Sequence, residues 1–209
     1  MRNDRHKPNS DMQLTDLLDQ IQSATMRAGE LMRGRSKADL SQRPDPDTWS
    51  VAECFDHLAQ TTRAFLPAIA EAISSAQSLS DKRALRTGAF AALVVRKLEP
   101  PYRLRMQVLA QIAPKQTDID AAWNGFVESQ NQLLETVRSA AGLAIDKVKV
   151  QSPVYARISY NVYGALCIIA AHERRHIWQA EQICKAKDRK QATDNVAHPL
   201  PQVAHASGF

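Results

Sequence analysis

The chain has 209 residues, 44% hydrophobic and 23% charged, which indicates a folded globular protein and excludes a disulfide-dependent miniprotein or a disordered chain. Only 7 glycines are present, and Ala, Leu, Gln, Arg and Glu are abundant, so we predict an all-α protein. The net charge of +5 comes from residues 1–10 (+2), 81–105 (+5) and 185–209 (+2), against −4 for the remainder. Because this charge belongs to two tails and one connection rather than to a single face, we predict no nucleic-acid partner.

The first predicted helix is amphipathic and begins near residue 10. Ser10 and Gln13 have the spacing of a capping box, and Gly34 predicts the end of the helix. Between them, apolar residues recur at helical spacing: Leu14, Leu17, Leu18, Ile21, Ala28, Leu31 and Met32.

The second predicted helix follows an irregular segment, residues 43–49, which contains two prolines. Ser50 and Glu53 have the Ser-x-x-Glu spacing of a capping box, which starts a helix predicted to run to about residue 76. Pro67 is expected to kink it. The short link between the first two helices predicts that they are antiparallel neighbours.

Two further long helices are predicted in the second half of the chain. Residues 78–116 form a long connection with a short helix at 83–98, and its length allows the second and third helices to run parallel. The third helix is predicted over residues 117–141 and the fourth over 159–187. No strand is predicted.

Four long helices with one apolar face each bury those faces most simply as a four-helix bundle. We assign the bundle to residues 11–187 as a single domain. Residues 1–10 and 188–209 are polar and are predicted to be flexible tails. The tails contain three histidines that we expect to be solvated: His6, His198 and His205.

The cysteines and the apolar runs predict where the protein resides. Cys54, Cys167 and Cys184 are odd in number and lack the spacing of a disulfide framework, so we expect reduced thiols. The N-terminal residues lack the apolar core of a secretory signal. The longest apolar runs, residues 88–95 and 162–171, are much shorter than the roughly 20 residues that cross a bilayer. We therefore expect a cytoplasmic protein without a membrane partner.

The histidines inside the predicted helices suggest a metal site. His172 and His176 are four residues apart, about 40° on a helical wheel, so their imidazoles can bind one metal ion. They follow an apolar run, and His57 lies on an otherwise apolar face of the second helix. Each buried histidine without a partner would be destabilising by about 1–3 kcal/mol. We therefore predict that His57, His172 and His176 share one divalent metal.

Two other metal chemistries fit parts of this pattern less well. The segment His172-Glu173-Arg174-Arg175-His176 matches the H-E-x-x-H signature of zinc metalloproteases. However, the extended form of that signature has a glycine and a histidine where this chain has Gln179 and Gln182. A di-iron carboxylate bundle needs Glu-x-x-His on two helices, and the chain supplies this motif once.

At these positions the chain resembles the DinB/YfiT-like family of four-helix bundles, specifically its DinB-like branch. The segment Trp49-Ser50-Val51-Ala52-Glu53-Cys54-Phe55-Asp56-His57-Leu58 is similar to the Trp-Ser-x-x-Glu-x-x-x-His-Leu pattern that opens the family's second helix. The segment His172-Glu173-Arg174-Arg175-His176-Ile177-Trp178-Gln179 is similar to its His-x-x-x-His-x-x-Gln pattern on the last helix. The helical lengths fit the family over about residues 11–187.

The resemblance implies an up-down-down-up order of the helices and one divalent metal bound by the three histidines. It also implies an activity, because characterised members include metal-dependent transferases and isomerases that use a low-molecular-weight thiol. We therefore expect a thiol S-transferase acting on a small electrophile, with zinc or nickel as the metal. A non-catalytic bundle that binds a metal or small ligand, as a sensor or stress-response module, stays open. So does a helical interaction protein that forms a homodimer through exposed faces.

Further residues are candidates at such a site. Glu173 is the candidate catalytic residue because it can hold a bound water or orient a ligand, although a solvent-facing position is the alternative. Gln179 is suited to a hydrogen bond that orients His176, or equally to helix packing. Cys54 is expected to be a buried structural thiol. The candidates for binding the carboxylates of a thiol cofactor are Arg63, Arg103, Arg105 and Arg174.

Overall fold

The computed structural model describes residues 8–81, 83–100, 102, 108–115 and 117–197. These residues are mostly helical, and their strands form one two-stranded sheet. The all-α prediction is therefore confirmed, apart from this small hairpin. Within the same residues, no helix combines the length and the apolarity needed to cross a bilayer.

In chain order the helices are α1 (Ser10–Met32), α2 (Lys37–Ser41), α3 (Val51–Ser74), α4 (Ala89–Leu98), α5 (Ile119–Ser139) and α6 (Val162–Ala197). A 3₁₀ turn, Ala110–Ile112, lies between α4 and α5. The strands β1 (Lys149–Gln151) and β2 (Ser159–Asn161) pair antiparallel just before α6. The last long helix therefore begins at Val162 rather than at residue 159, because residues 159–161 belong to a strand that sequence periodicity did not show.

The first helix is capped differently from the prediction. The side chain of Asn9 accepts a hydrogen bond of 2.9 Å from the backbone N–H of Met12, so Asn9 is the cap and Ser10 is already helical. Gln13 does not close a capping box. Its side chain instead pairs with the backbone of Leu85 in both directions, at 2.7 and 3.1 Å, and so attaches α1 to the segment before α4.

The start of α3 agrees with the predicted capping box. The Ser50 hydroxyl accepts from the Glu53 backbone N–H at 3.1 Å, and the Glu53 carboxylate accepts from the Ser50 backbone N–H at 2.8 Å. Arg43 donates to both oxygens of the same buried carboxylate. This contact connects the irregular segment before α3 to the first turn of the helix, and so positions Trp49 next to it.

The long helices pack in a defined set of pairs. α3 packs against α5 and α6, and α1 packs against the same two helices. Among the described residues, α1 and α3 make few contacts with each other. The prediction that the first two long helices are neighbours is therefore wrong. The chain between them includes α2 and residues 42–50, which is long enough to cross the end of the helical assembly. The core contains side chains from all four long helices, among them Ile21, Phe55, Leu58, Phe126, Leu133, Leu166 and Ile169.

The short helix α4 lies against the first turns of α6 because Gly164 lets the two segments approach closely. A Cβ atom at Gly164 would be 2.5 Å from the carbonyl oxygen of Thr87 and 2.7 Å from the Cβ of Ala91. Only a residue without a side chain fits between these atoms. The contact matters for function because α4 forms one wall of the cavity described below.

The last helix extends past its predicted end near Lys187 to Ala197, so residues 188–197 of the predicted C-terminal tail are helical. The segment contains Lys, Arg, Gln and Ala and no proline or glycine, which favours continuation of the helix. Asp188 pairs with Arg35 at 2.6 Å, and the Lys187 ammonium donates to backbone carbonyls at the end of α2. Residues 1–7 and 198–209, including His6, His198 and His205, lie outside the described residues.

Candidate metal centre

The packing of α3 against α6 brings three distant histidines together. His57 lies on α3, and His172 and His176 lie one turn apart on α6. The centre of the His57 ring is 4.9 Å from the centre of the His172 ring and 4.7 Å from that of the His176 ring. The two rings on α6 are 4.5 Å apart. These distances agree with the prediction that the three histidines can share one metal ion, and they follow from the packing of α3 beside α6.

One nitrogen from each ring lies within 4.8 Å of the others. The Nε2 atoms of His57 and His172 are 3.1 Å apart. Tetrahedral Zn–N bonds of 2.0–2.1 Å place pairs of ligand nitrogens about 3.4 Å apart, so small side-chain rotations bring all three nitrogens to bonding distance. The three histidines can therefore hold one metal ion.

Hydrogen bonds on the far side of two rings orient the nitrogens that face the centre. Nδ1 of His57 is 2.6 Å from the carbonyl oxygen of Ile112, which can only accept, so Nδ1 carries the proton. Nδ1 of His176 is 3.0 Å from the side-chain oxygen of Gln179 and donates to it in the same way. Protonation at Nδ1 leaves the Nε2 lone pair available, which is the usual arrangement around a metal-binding imidazole.

The surroundings keep all three imidazoles neutral. Burial lowers the pKa of His57 below its ordinary value. Burial, together with the charges of His57 and Arg175, lowers the pKa of His172 to about 3. Burial and the neighbouring charges also hold the pKa of His176 well below 6.5. Neutral imidazole is the form that binds a metal, so no proton has to be displaced at neutral pH.

Trp49 covers one side of the cluster. Its ring is 5.7 Å from that of His176 at an interplanar angle of 24°, and 4.9 Å from that of His57. Trp49 is the residue before the cap of α3, so the same capping box that starts the helix also places the indole against the histidines. This packing limits the rotation of the His57 and His176 rings.

The histidines line a cavity of about 690 Å³, within the range of small-molecule sites. Apolar side chains from three helices form much of its wall: Phe65, Val94, Leu98, Ile168 and Ile169. Residues 108–112 and the β hairpin contribute further wall, including Leu109 and Tyr160. The three histidines that are candidate metal ligands therefore face a largely apolar space.

Glu173 does not occupy the position expected of a solvent-facing helix charge. It is 1% exposed, and its Oε1 accepts a hydrogen bond of 2.7 Å from the amide of Gln130 on α5. Burial raises the pKa of Glu173 to about 8. Glu173 is not among the residues that line the cavity. Its role as a catalytic residue stays a prediction, without a contact to the cavity that supports it.

The other candidates from the sequence divide into three groups. Gln179 makes the hydrogen bond to His176 that its position suggested. Cys54 is fully buried among apolar side chains, and burial raises the pKa of its thiol far above the ordinary value, as expected of a structural cysteine. The proposed anion-binding arginines are either paired or outside the described residues.

Two of those arginines are already engaged by carboxylates. Arg63 pairs with Glu128 at 2.5 Å, and Arg174 pairs with Glu99. Arg103 and Arg105 lie outside the described residues. Neither described arginine lines the cavity, whereas Arg175, the next residue after Arg174, does.

Sequence reasoning assigned no site role to Arg175, to Trp49 or to the carbonyl of Ile112. For Trp49 a signal was available, because it is part of the motif that includes His57. For Ile112 there was none, because a backbone carbonyl contact across 55 residues has no local pattern. For Arg175 the sequence could not show whether Arg174 or Arg175 faces the cavity, because that depends on how α6 is rotated about its axis.

The zinc-metalloprotease alternative disagrees with this geometry. In that chemistry the glutamate of H-E-x-x-H activates water beside the metal. Here Glu173 is hydrogen-bonded to Gln130 on α5, and the third histidine comes from α3, upstream in the chain. The cluster of the described residues also contains histidines and no carboxylate, unlike a di-iron centre.

The structure thus defines a helical protein with three converging histidines at the wall of an apolar cavity. Residues 20–180 match the model of the DinB superfamily, and the chain belongs to that superfamily. No curated protein and no solved structure matches the chain at a significant level.

Proposed function

We propose that the chain binds one divalent ion, zinc or nickel, through His57, His172 and His176, and uses it to transfer a low-molecular-weight thiol to a small electrophile. The observation that carries this proposal is the convergence of three neutral imidazoles on one point at the wall of a cavity. Membership of the DinB superfamily supports it.

The donor set fits a borderline metal ion. Three imidazole nitrogens suit zinc or nickel, and three protein ligands leave a coordination position open, as in catalytic rather than structural sites. The partners of His57 and His176 fix their orientation. All three histidines line the cavity, so the open position is accessible to a small molecule.

A divalent ion held by His57, His172 and His176 would lower the pKa of a bound thiol, and so would supply a thiolate near neutral pH. In the reaction proposed, a bond forms between the thiol sulfur and the electrophilic carbon while the bond to the leaving group breaks. The thiol proton leaves to solvent or with the leaving group. The protein holds the three imidazoles neutral and, through the apolar wall of Phe65, Ile168 and Ile169, keeps water from competing.

The proposal includes the four-helix bundle with up-down-down-up order. The packing pairs support the bundle itself, because α1, α5, α3 and α6 follow one another around a closed ring of contacts. We also propose a cytoplasmic location, a small-molecule substrate and a homodimer. An exposed methionine on α1, Met26, is an apolar side chain available to such an interface.

The second candidate is a non-catalytic bundle that binds the metal or a small ligand. One observation favours it: Glu173, the candidate catalytic residue, contacts Gln130 and does not line the cavity. Both candidates predict metal binding, so only turnover separates them.

Turnover is tested by incubating the metal-loaded protein with glutathione, cysteine and other biological thiols, each with a chromogenic aryl halide. We expect at least one thiol to be consumed faster than with metal-free protein, and His57→Ala to remove that difference. If no thiol reacts faster while the metal is bound stoichiometrically, the binding bundle is the correct function.

A further inference from the structure

Among the described residues that line the cavity, one arginine lies beside the three histidines. It is Arg175, whose guanidinium carbon lies 5.7 Å from the centre of the Tyr102 ring. A carboxylate among the described lining residues, Asp47, is exposed to solvent before α3. A guanidinium has five N–H donors, so Arg175 can bind an anion in addition to the contacts that it already makes.

Arg175 lies at the histidine end of the cavity. It is on the same helix as His172 and His176, and its charge contributes, after burial and the neighbouring histidines, to the low pKa of both. An anionic group bound to it would therefore be held close to the proposed metal.

Apolar residues line the cavity nearer the start of the same helix. Ile168 and Ile169 line it one to two turns before Arg175, and Phe65 lines it from α3. Arg175 and Ile169 are six residues apart, which is about 9 Å along a helix at 1.5 Å per residue. The cavity is thus lined by a cation and by an apolar side chain at levels about 9 Å apart along α6.

Biological thiols such as glutathione carry many polar groups, which would lose their hydrogen bonds to water against such a wall. We infer that the cavity selects an apolar monoanion, with its anionic group bound by Arg175 and its apolar body against Phe65, Ile168 and Ile169. The inference rests on the proposed function, because it names the class of electrophile that the same site takes.

Binding is tested without catalysis, using octanoate as the probe, since this unbranched eight-carbon carboxylate is comparable in length to the roughly 9 Å between Arg175 and Ile169 along α6. Calorimetric titration of metal-free full-length protein compares octanoate with 1-octanol and octylammonium, which keep the chain and change the head group. Acetate and butanoate keep the head group and shorten the chain. We expect octanoate to bind most tightly, with an affinity that rises about fourfold for each methylene buried.

Variants then assign the anion to Arg175. We expect Arg175→Met to weaken octanoate about tenfold or more and to leave 1-octanol within about twofold. Arg175→Lys keeps the charge and should retain most of the affinity. Arg189→Met removes an exposed arginine from the same helix, outside the cavity, and is the matched control. Thermal unfolding of each variant verifies that it is folded.

Three results would overturn the inference: acetate binding as tightly as octanoate, octanol binding as tightly as octanoate, or Arg175→Met leaving octanoate affinity unchanged. Octanoate binding that appears only after metal loading would also overturn it, because the anion would then belong to the metal. Failure of the protein to bind metal would contradict the proposed function and leave the metal-free titration interpretable, so the two failures are distinguishable.

Discussion

The Nε2 atoms of His57 and His172 lie 3.1 Å apart, although the residues are separated by 115 positions in the chain. Nδ1 of His57 donates to the carbonyl of Ile112, so its Nε2 presents a lone pair to His172. A third ring, that of His176, contributes a nitrogen within 4.8 Å of the other two. Nitrogen lone pairs at this separation require a proton or a metal ion between them.

The first prediction concerns metal stoichiometry. We expect His176→Ala to lose most of the bound zinc or nickel, because two remaining imidazoles do not form a complete catalytic site. Elemental analysis after metal loading and desalting measures the loss. His205→Ala, which changes a histidine in the predicted tail, should keep full occupancy. If His176→Ala also keeps full occupancy, the metal binds elsewhere.

The second prediction concerns the hydrogen bond that orients His176. Loss of a partner to a metal ligand typically lowers affinity about 10- to 100-fold, so Gln179→Ala should bind zinc more weakly by this factor. Competition with a chromophoric chelator measures the affinity. Gln182→Ala, which changes another glutamine on α6 outside the cavity lining, is the matched control. Equal affinities in the two variants would show that the Gln179 contact does not support metal binding.

The third prediction concerns the acid stability of the metal-free protein. The folded state holds the pKa of the three histidines below 6.5, the value expected in the unfolded chain. Below that pH the unfolded chain binds more protons, so stability present above pH 6.5 is lost as the pH falls. Each histidine that the folded state keeps neutral contributes at most about 1.4 kcal/mol per pH unit to this slope. Glu173, which keeps its proton in the folded state, reduces the slope by the equivalent of one proton.

Chemical unfolding in the presence of a chelator at pH 7, 6 and 5 measures this slope. His176→Gln should show a shallower slope because it removes one of the three protons. A free energy of unfolding that is constant between pH 7 and pH 5 would mean that the histidines protonate equally well in the folded state.

The fourth prediction concerns Glu173, whose folded-state pKa of about 8 lies above its ordinary 4.5. The folded protein keeps a proton that the unfolded chain releases, so this contribution is complete below pH 4.5 and is lost as the pH rises toward 8. Glu173→Gln is neutral at every pH, so in metal-free protein its stability relative to the native chain should rise by about 1.4 kcal/mol per pH unit across this window.

Unfolding curves of both proteins at pH 5.5, 6.5 and 7.5 measure that difference. If the difference in stability between the two proteins does not change with pH, Glu173 is ionised in the folded state. The same variant tests the catalytic role: turnover lost with metal content unchanged would support it, and turnover retained would assign Glu173 to the contact between α5 and α6.

Several features of the site could be predicted from the sequence because they depend on local spacing. The pair His172 and His176 follows from the helical repeat, and the start of α3 follows from Ser50 and Glu53. The start of α1 was misassigned by one residue because Asn9 and Ser10 are both good caps. The hairpin before α6 was missed because strands of three residues have too little periodicity to detect.

The sequence by itself determined the helical class, the histidine pair and the membership of the superfamily, since each depends on residues within a few positions of one another. The tertiary structure decided which side chains meet across long separations. It placed the Ile112 carbonyl on His57, turned Glu173 toward Gln130 and directed Arg175 rather than Arg174 into the cavity. These outcomes depend on how each helix is rotated against its neighbours, and that rotation is set by the packing of the whole core.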